Sequence, residues 1–204
     1  MADAKDSAGL AAQGGPPTLA AARLVALALG FYGLVFAAAC AWRLLADGEW
    51  PWRAGTAAPA WSLPARVAVG AAVGGALVLS SRVWTSHSAA GRRLADELGA
   101  IVGSLGSAQA VLLAAVSGLG EEAFFRGALQ PQVGWPLAAV LFGLAHFHPR
   151  RGLRVWSLTA LVAGLAFGLL FEATGDLVAP AVAHCFVNAV NLRWLARRNA
   201  VRAR

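Results

Sequence analysis

The sequence predicts an all-α fold, a polytopic transmembrane helical bundle of about six spans with one interfacial amphipathic helix. Three observations carry this. Of 204 residues, 58% are hydrophobic and only 13% charged, which is membrane-protein composition. Apolar stretches of spanning length recur along the chain, and a spanning helix needs about 20 residues, so the length fits one polytopic domain. Finally, all of the 17 Lys and Arg residues except Arg43, Arg53, Arg66 and Arg126 fall on one side of such a bundle, as membrane orientation requires.

Residues 1–22 hold Gly14-Gly15-Pro16-Pro17 and scattered charges without helical periodicity, and are expected to form a disordered cytoplasmic tail. The apolar stretch that follows is too long for the h-region of a signal peptide, and further spans come after it. Residues 23–86 supply two accessory spans, Leu24 to Ala46, with Arg43 near its end able to snorkel, and Ala65 to Trp84. The loop between them is bordered by Trp42, Trp50, Trp52 and Trp61 and punctuated by Pro51, Pro59 and Pro64, which reads as an interfacial belt. In residues 87–106, Leu94, Leu98, Ile101 and Leu105 recur every three to four positions while Arg92, Arg93, Asp96 and Glu97 take other faces. That pattern predicts an amphipathic helix lying on the membrane surface.

Residues 107–196 form an expected core of four spans. The first runs from Ala108 to about Gln130, and Pro131 to Pro136 makes a turn. A short span follows from Pro136 to His146, then Val155 to Phe171, whose Ala160, Gly164 and Gly168 form a stripe that lets a neighbouring helix approach closely. Glu172 to Asp176 is a polar turn and Leu177 to Leu195 the last span. Residues 197–204 are a basic tail. Both termini are expected on the cytoplasmic face of a multi-pass protein of the cell membrane. The +7 charge is spread over every cytoplasmic segment instead of being gathered on a soluble domain, which argues against nucleic acid as a partner.

Within the apolar core, Glu121 and Glu122 stand side by side. An ionisable residue at the centre of a transmembrane helix costs about 3 kcal/mol even on a lenient scale, so such residues are paired or used. Arg126 lies four residues after Glu122 on the same helical face, which gives that carboxylate a partner. Glu121 is left about 100° around the helix, free to face a cavity. His146 ends the short span, and His184 and Asn188 share one face of the last. Glu121 lies ten residues before Pro131, His146 ten after Pro136 and His184 eight after Asp176, so the three sit roughly 15, 15 and 12 Å from the same side. Their depths coincide. His87 and His148 fall at span ends and read as interfacial. Phe124, Phe125 and Phe142 read as core or lipid-facing aromatics. Ser117 lacks the Gly-x-Ser-Gly setting of a rhomboid-type nucleophile, and Cys40 and Cys185 have no Cys-x-x-Cys spacing.

Glu121-Glu122-x-x-x-Arg126, Phe142-x-x-x-His146 and His184-x-x-x-Asn188, in that order on successive spans, resemble the CPBP (Abi, CAAX-protease-and-bacteriocin-processing) family of intramembrane proteases, which includes the Rce1-type CAAX prenyl endopeptidases. The resemblance covers about Ser107 to Leu195. It implies hydrolysis of peptide bonds in membrane-associated peptide or protein substrates, with the lipid bilayer as the other partner. It casts Glu121 as general base with His146 helping to hold the attacking water, and His184 and Asn188 as oxyanion donors. Arg126 and Glu122 then fix the helix and tune its charge.

The cofactor stays open between none and Zn. Glu121, His146 and His184 with an open position also describe a catalytic zinc site, whereas Asn188 is a better oxyanion donor than zinc ligand. No His is followed by Glu, which excludes the His-Glu-x-x-His arrangement. Two readings from other classes remain, a proton-coupled transporter using buried Glu and His and a non-catalytic immunity or scaffold factor. The first expects internal repeats, of which there is no sign, and the second an incomplete catalytic set, whereas this one is complete.

Overall fold

A computed structural model of the chain describes residues 19–53, 61–103 and 105–202. The expected tail up to residue 18, with Lys5, and also Pro59 and the last two residues lie outside the described residues. The described chain is helical almost throughout: α1 (Leu19–Asp47), α2 (Leu63–His87), α3 (Ala89–Val102), α4 (Ser107–Val133), α5 (Trp135–Ala145), α6 (Arg154–Thr174) and α7 (Val178–Arg202). Within α4 the stretch Ala123–Leu129 is wound as a π-helix. Four helices, α1, α2, α4 and α6, are long and apolar enough to cross a membrane. At 11 residues α5 rises only about 16 Å, half a crossing. The 25 residues of α7 are long enough, but its second half carries Arg193, Arg197 and Arg198.

Local chemistry sets the boundaries. Ser62 caps α2 by accepting from Ala65 N, and Pro64 takes a first-turn position. Ser88 serves two helices: its backbone N–H closes α2 on Trp84 O, and its hydroxyl accepts from Gly91 N to open α3. Gly134 and Gly175, at φ of 80° and 78°, make the breaks that end α4 and α6, conformations that cost a residue with a Cβ far more than glycine. Asp176 then accepts from Val178 N to start α7.

The closest approaches between helices are made at small residues. Gly70 and Gly74 of α2 lie on Ala179 and Ala183 of α7, Gly118 of α4 on Cys185, and Gly164 and Gly168 of α6 on α5 and Gln130. The small-residue stripe of α6 thus serves the interior of the bundle. Close approach of this kind gives van der Waals contact where lipid offers no hydrophobic gradient. A methyl at position 70 would overlap the Ala179 carbonyl oxygen, and backbone cannot step aside. Gly70→Ala is expected to destabilise the bundle by about 1–3 kcal/mol, read as a lowered thermal midpoint in detergent; an unchanged midpoint would mean that α2 and α7 are not tightly packed.

The amphipathic α3 buries Leu94 and Ala95 and leaves Ile101 half exposed. It is tied to α7 by Arg198 Nε donating to Asp96 Oδ1 at 2.9 Å, so it is fastened to the bundle. At the opposite end Arg43 is buried and paired with Asp47, where snorkelling was expected, and Arg66 pairs with Asp176. The segment Pro51–Arg53 docks there as well: Leu177 N donates to Trp52 O, Arg53 bridges to Asp176, and Pro51 packs on Gly127.

Candidate active site

The two carboxylates sit on the last α-helical turn of α4, directly before the π-wound stretch. Glu122 and Arg126 are among the most enclosed residues, 0% and 1% exposed. Arg126 Nη1 donates to Glu122 Oε1 at 2.9 Å, Nη2 donates to the Gly164 carbonyl of α6 at 3.2 Å, and the guanidinium lies 4.4 Å from the centre of the Phe142 ring. A charge pair removed from water is tolerable only with this density of partners. Single π turns inside α-helices concentrate at functional sites, and this one spans Arg126.

Each of the two deep histidines is anchored through Nδ1. His184 Nδ1 lies 2.7 Å from Glu122 Oε1, and His146 Nδ1 lies 2.8 Å from Phe142 O. Both partners only accept, so Nδ1 carries the proton in each ring. A neutral imidazole then presents an Nε2 lone pair, and both Nε2 atoms face Glu121: His146 Nε2 is 3.7 Å and His184 Nε2 3.9 Å from Glu121 Oε2. That oxygen is buried without a hydrogen-bond partner among the described residues. Three acceptors thus converge with no donor between them, which suits a water molecule or another proton-bearing group.

Asn188 lies one turn beyond His184 on α7. Its Nδ2 donates to Ser117 Oγ at 3.0 Å, and Ser117, one turn before Glu121, donates onward to Ala114 O. Ser117 therefore holds the asparagine amide. Aromatic rings wall the imidazoles: Phe167 stacks on His184 at 4.9 Å, and His146 sits between Phe142 at 4.5 Å and the edge of Trp156 at 5.2 Å. His146, His184 and Asn188 open onto a cavity of about 530 Å³ between α2, α3, α6 and α7, walled mainly by apolar side chains such as Leu77, Leu98 and Val162.

The structure brings together Glu121, Glu122, Arg126, His146 and His184, with Asn188 on the same cavity wall. His148 stands apart in the loop after α5, accepting from Arg150 N, and His87 is exposed at the end of α2. Sequence reasoning missed the Glu122–His184 bond, the grip of Ser117 on Asn188 and the central place of Phe142, which touches Arg126 and His146. Spacing within one helix carries no signal for contacts between helices. For zinc, two imidazole nitrogens and a carboxylate oxygen are suitable donors, and both rings have the anchored Nδ1 that zinc-binding histidines show. The donor separations are wider than the ~3.4 Å between ligands of a tetrahedral zinc. Among the described residues, no three His, Cys, Asp or Glu side chains are arranged to hold a cation.

Residues 104–190 match the family described as type II CAAX prenyl endopeptidase Rce1-like. The matched stretch contains all six candidate residues and leaves out α1, α2 and α3. The protein YpbD of Bacillus subtilis (strain 168), itself uncharacterised, is 37% identical over 82 residues, which are 39% of this chain and 42% of that protein. The match therefore spans less than half of this curated relative. No solved structure matches the chain.

Proposed function

We propose, for a chain whose residues 104–190 carry the Rce1-like pattern, that it is an intramembrane endopeptidase hydrolysing peptide bonds of membrane-associated substrates, CAAX-type proteins or bacteriocin-like peptides. The observation that carries this is the convergence of Glu121 Oε2 with two imidazole Nε2 atoms whose other nitrogens are anchored. A water held between Glu121 and His146 gives a proton to the Glu121 carboxylate as its oxygen attacks the peptide carbonyl carbon. The carbonyl electrons move onto oxygen, where Asn188 beside His184 donates its second amide hydrogen. The tetrahedral intermediate collapses with cleavage of the C–N bond, and Glu121 passes its proton to the leaving nitrogen.

Glu122 and Arg126 stay out of the reacting atoms. They hold His184 at the right angle. The apolar cavity supplies a dry approach for an apolar peptide segment, and the arginine distribution supports a cytoplasmic side for both termini. The mechanism uses no metal; the donor separations and the hydrogen-bonded amide of Asn188 support that reading.

The test is cleavage of a panel of quenched fluorescent peptides, prenylated members included, by the detergent-purified chain. His146→Ala should lower cleavage by roughly a hundredfold or more, His148→Ala should change it by less than about threefold, and a strong chelator should leave it intact. Equal loss in the two histidine variants would mean that the wrong histidine has been placed at the water. Loss of cleavage with chelator, restored by zinc, would put a metal on Glu121, His146 and His184.

A further inference from the structure

We infer that Tyr32 is a positioning residue for Glu121, so that α1, outside the matched stretch, belongs to the working site. This rests on the protease reading above. The Tyr32 side chain interacts electrostatically with the Glu121 carboxylate, and its ring lies against Gly120, the residue directly before that glutamate. Its place is fixed by backbone packing: a Cβ built on Gly120 would fall 2.9 Å from Tyr32 O and 3.2 Å from Tyr32 Cβ. Only a glycine directly before Glu121 lets the two helices come this close. Farther along the same interface Phe36, Ala39 and Trp42 of α1 pack with Ala123 and Phe124 of α4, which stops α1 from rolling. Phe31 holds the tyrosine ring edge-on at 5.1 Å.

The chemistry follows from what a glutamate lacks. Its terminal torsion is broad and two-fold, so the side chain alone does not choose which way its oxygens face. Arg126 and His184 Nδ1 are both engaged by Glu122, and the two Nε2 atoms facing Glu121 are acceptors in the neutral rings. Tyr32 supplies the donor. With its O–H on the carboxylate, the group is turned so that Oε2 faces the imidazoles, where the attacking water is held.

The test uses the whole chain. Tyr32→Phe keeps the ring and removes only the hydroxyl; kcat should fall about tenfold, the worth of one positioning hydrogen bond, with KM within about twofold and an unchanged thermal midpoint. A packing role alone would leave kcat at the wild-type value, and that result overturns the proposal. A second readout needs no substrate. Tyr32 is the one tyrosine of the chain, so an NMR-active carbon at its hydroxyl-bearing ring position gives a single resonance. That resonance should move in Glu121→Ala and stay in place in His148→Ala; if it stays in place in both, Tyr32 does not hold Glu121. Should the wild type prove no more active than Glu121→Gln, the protease reading fails, while the resonance still decides the contact.

Discussion

Glu121→Gln is expected to abolish cleavage while leaving the protein at least as stable as the wild type. The amide has the shape of the carboxylate but takes no proton from water, and loss of a general base costs about a hundredfold to ten-thousandfold in rate. Stability moves the other way because of the surroundings. Among the described residues Glu121 Oε2 is buried without a hydrogen-bond partner, and it faces two nitrogens that are acceptors in the neutral rings. An amide NH2 turned toward either imidazole supplies the missing donor and removes a desolvation penalty of about 1–3 kcal/mol. Function-for-stability exchange of this kind is common where a site is built for chemistry. Paired measurements of cleavage rate and thermal midpoint check it. A dead variant with a sharply lowered midpoint would show that Glu121 holds the fold together.

Arg126→Ala should give the largest loss of stability. The guanidinium is enclosed, bonded to Glu122 and to the Gly164 carbonyl, and laid over Phe142. Removing it strands the Glu122 carboxylate away from water, and breaking a buried ion pair from one side costs about 3–5 kcal/mol. The double variant Glu122→Gln, Arg126→Met removes both charges at similar volume, so most of the lost stability should return. Cleavage should not, because a neutral glutamine holds the His184 Nδ1–H less firmly than the carboxylate does. Denaturation midpoints and cleavage rates of the wild type, Glu122→Gln, Arg126→Met and the double variant form a complete cycle. Recovery of activity along with stability would show that the pair serves packing alone.

Much of the bundle was legible because lipid makes ionisable groups conspicuous. Glu121, Glu122, Arg126, His146 and His184 stand out from apolar runs, and counting residues from two turns was enough to put three of them at one depth. The alternation of Leu94 and Leu98 with charged neighbours likewise marked α3. What escaped is non-local. Nothing in Ala123–Leu129 announces a π turn, because the change is in hydrogen-bond register and not in residue type. Tyr32 lies about 90 positions from Glu121, and nothing in the first span singles it out; only the contact through Gly120 gives it meaning. Arg43 looked like a snorkelling side chain because its partner Asp47 sits at the helix end, where an exposed acid is ordinary. The Ser117–Asn188 bond was hidden for the same reason as Glu122–His184, each partner being unremarkable on its own helix.

The early stop of α5 reaches further than its length. A helix that ends inside a bundle must find other partners for its last carbonyls: the backbone N–H groups of His146 and Phe147 fold back onto Gly143 O and Leu144 O, the Ser157 hydroxyl adds a bond to Gly143 O, and His146 Nδ1 donates to Phe142 O. Finishing the helix and aiming the imidazole are one and the same bond. If the end of α5 frays, the histidine is released with it, although the rest of the bundle has lost nothing. Heat inactivation should therefore run ahead of melting, with the His146 ring as the first part of the molecule to come loose.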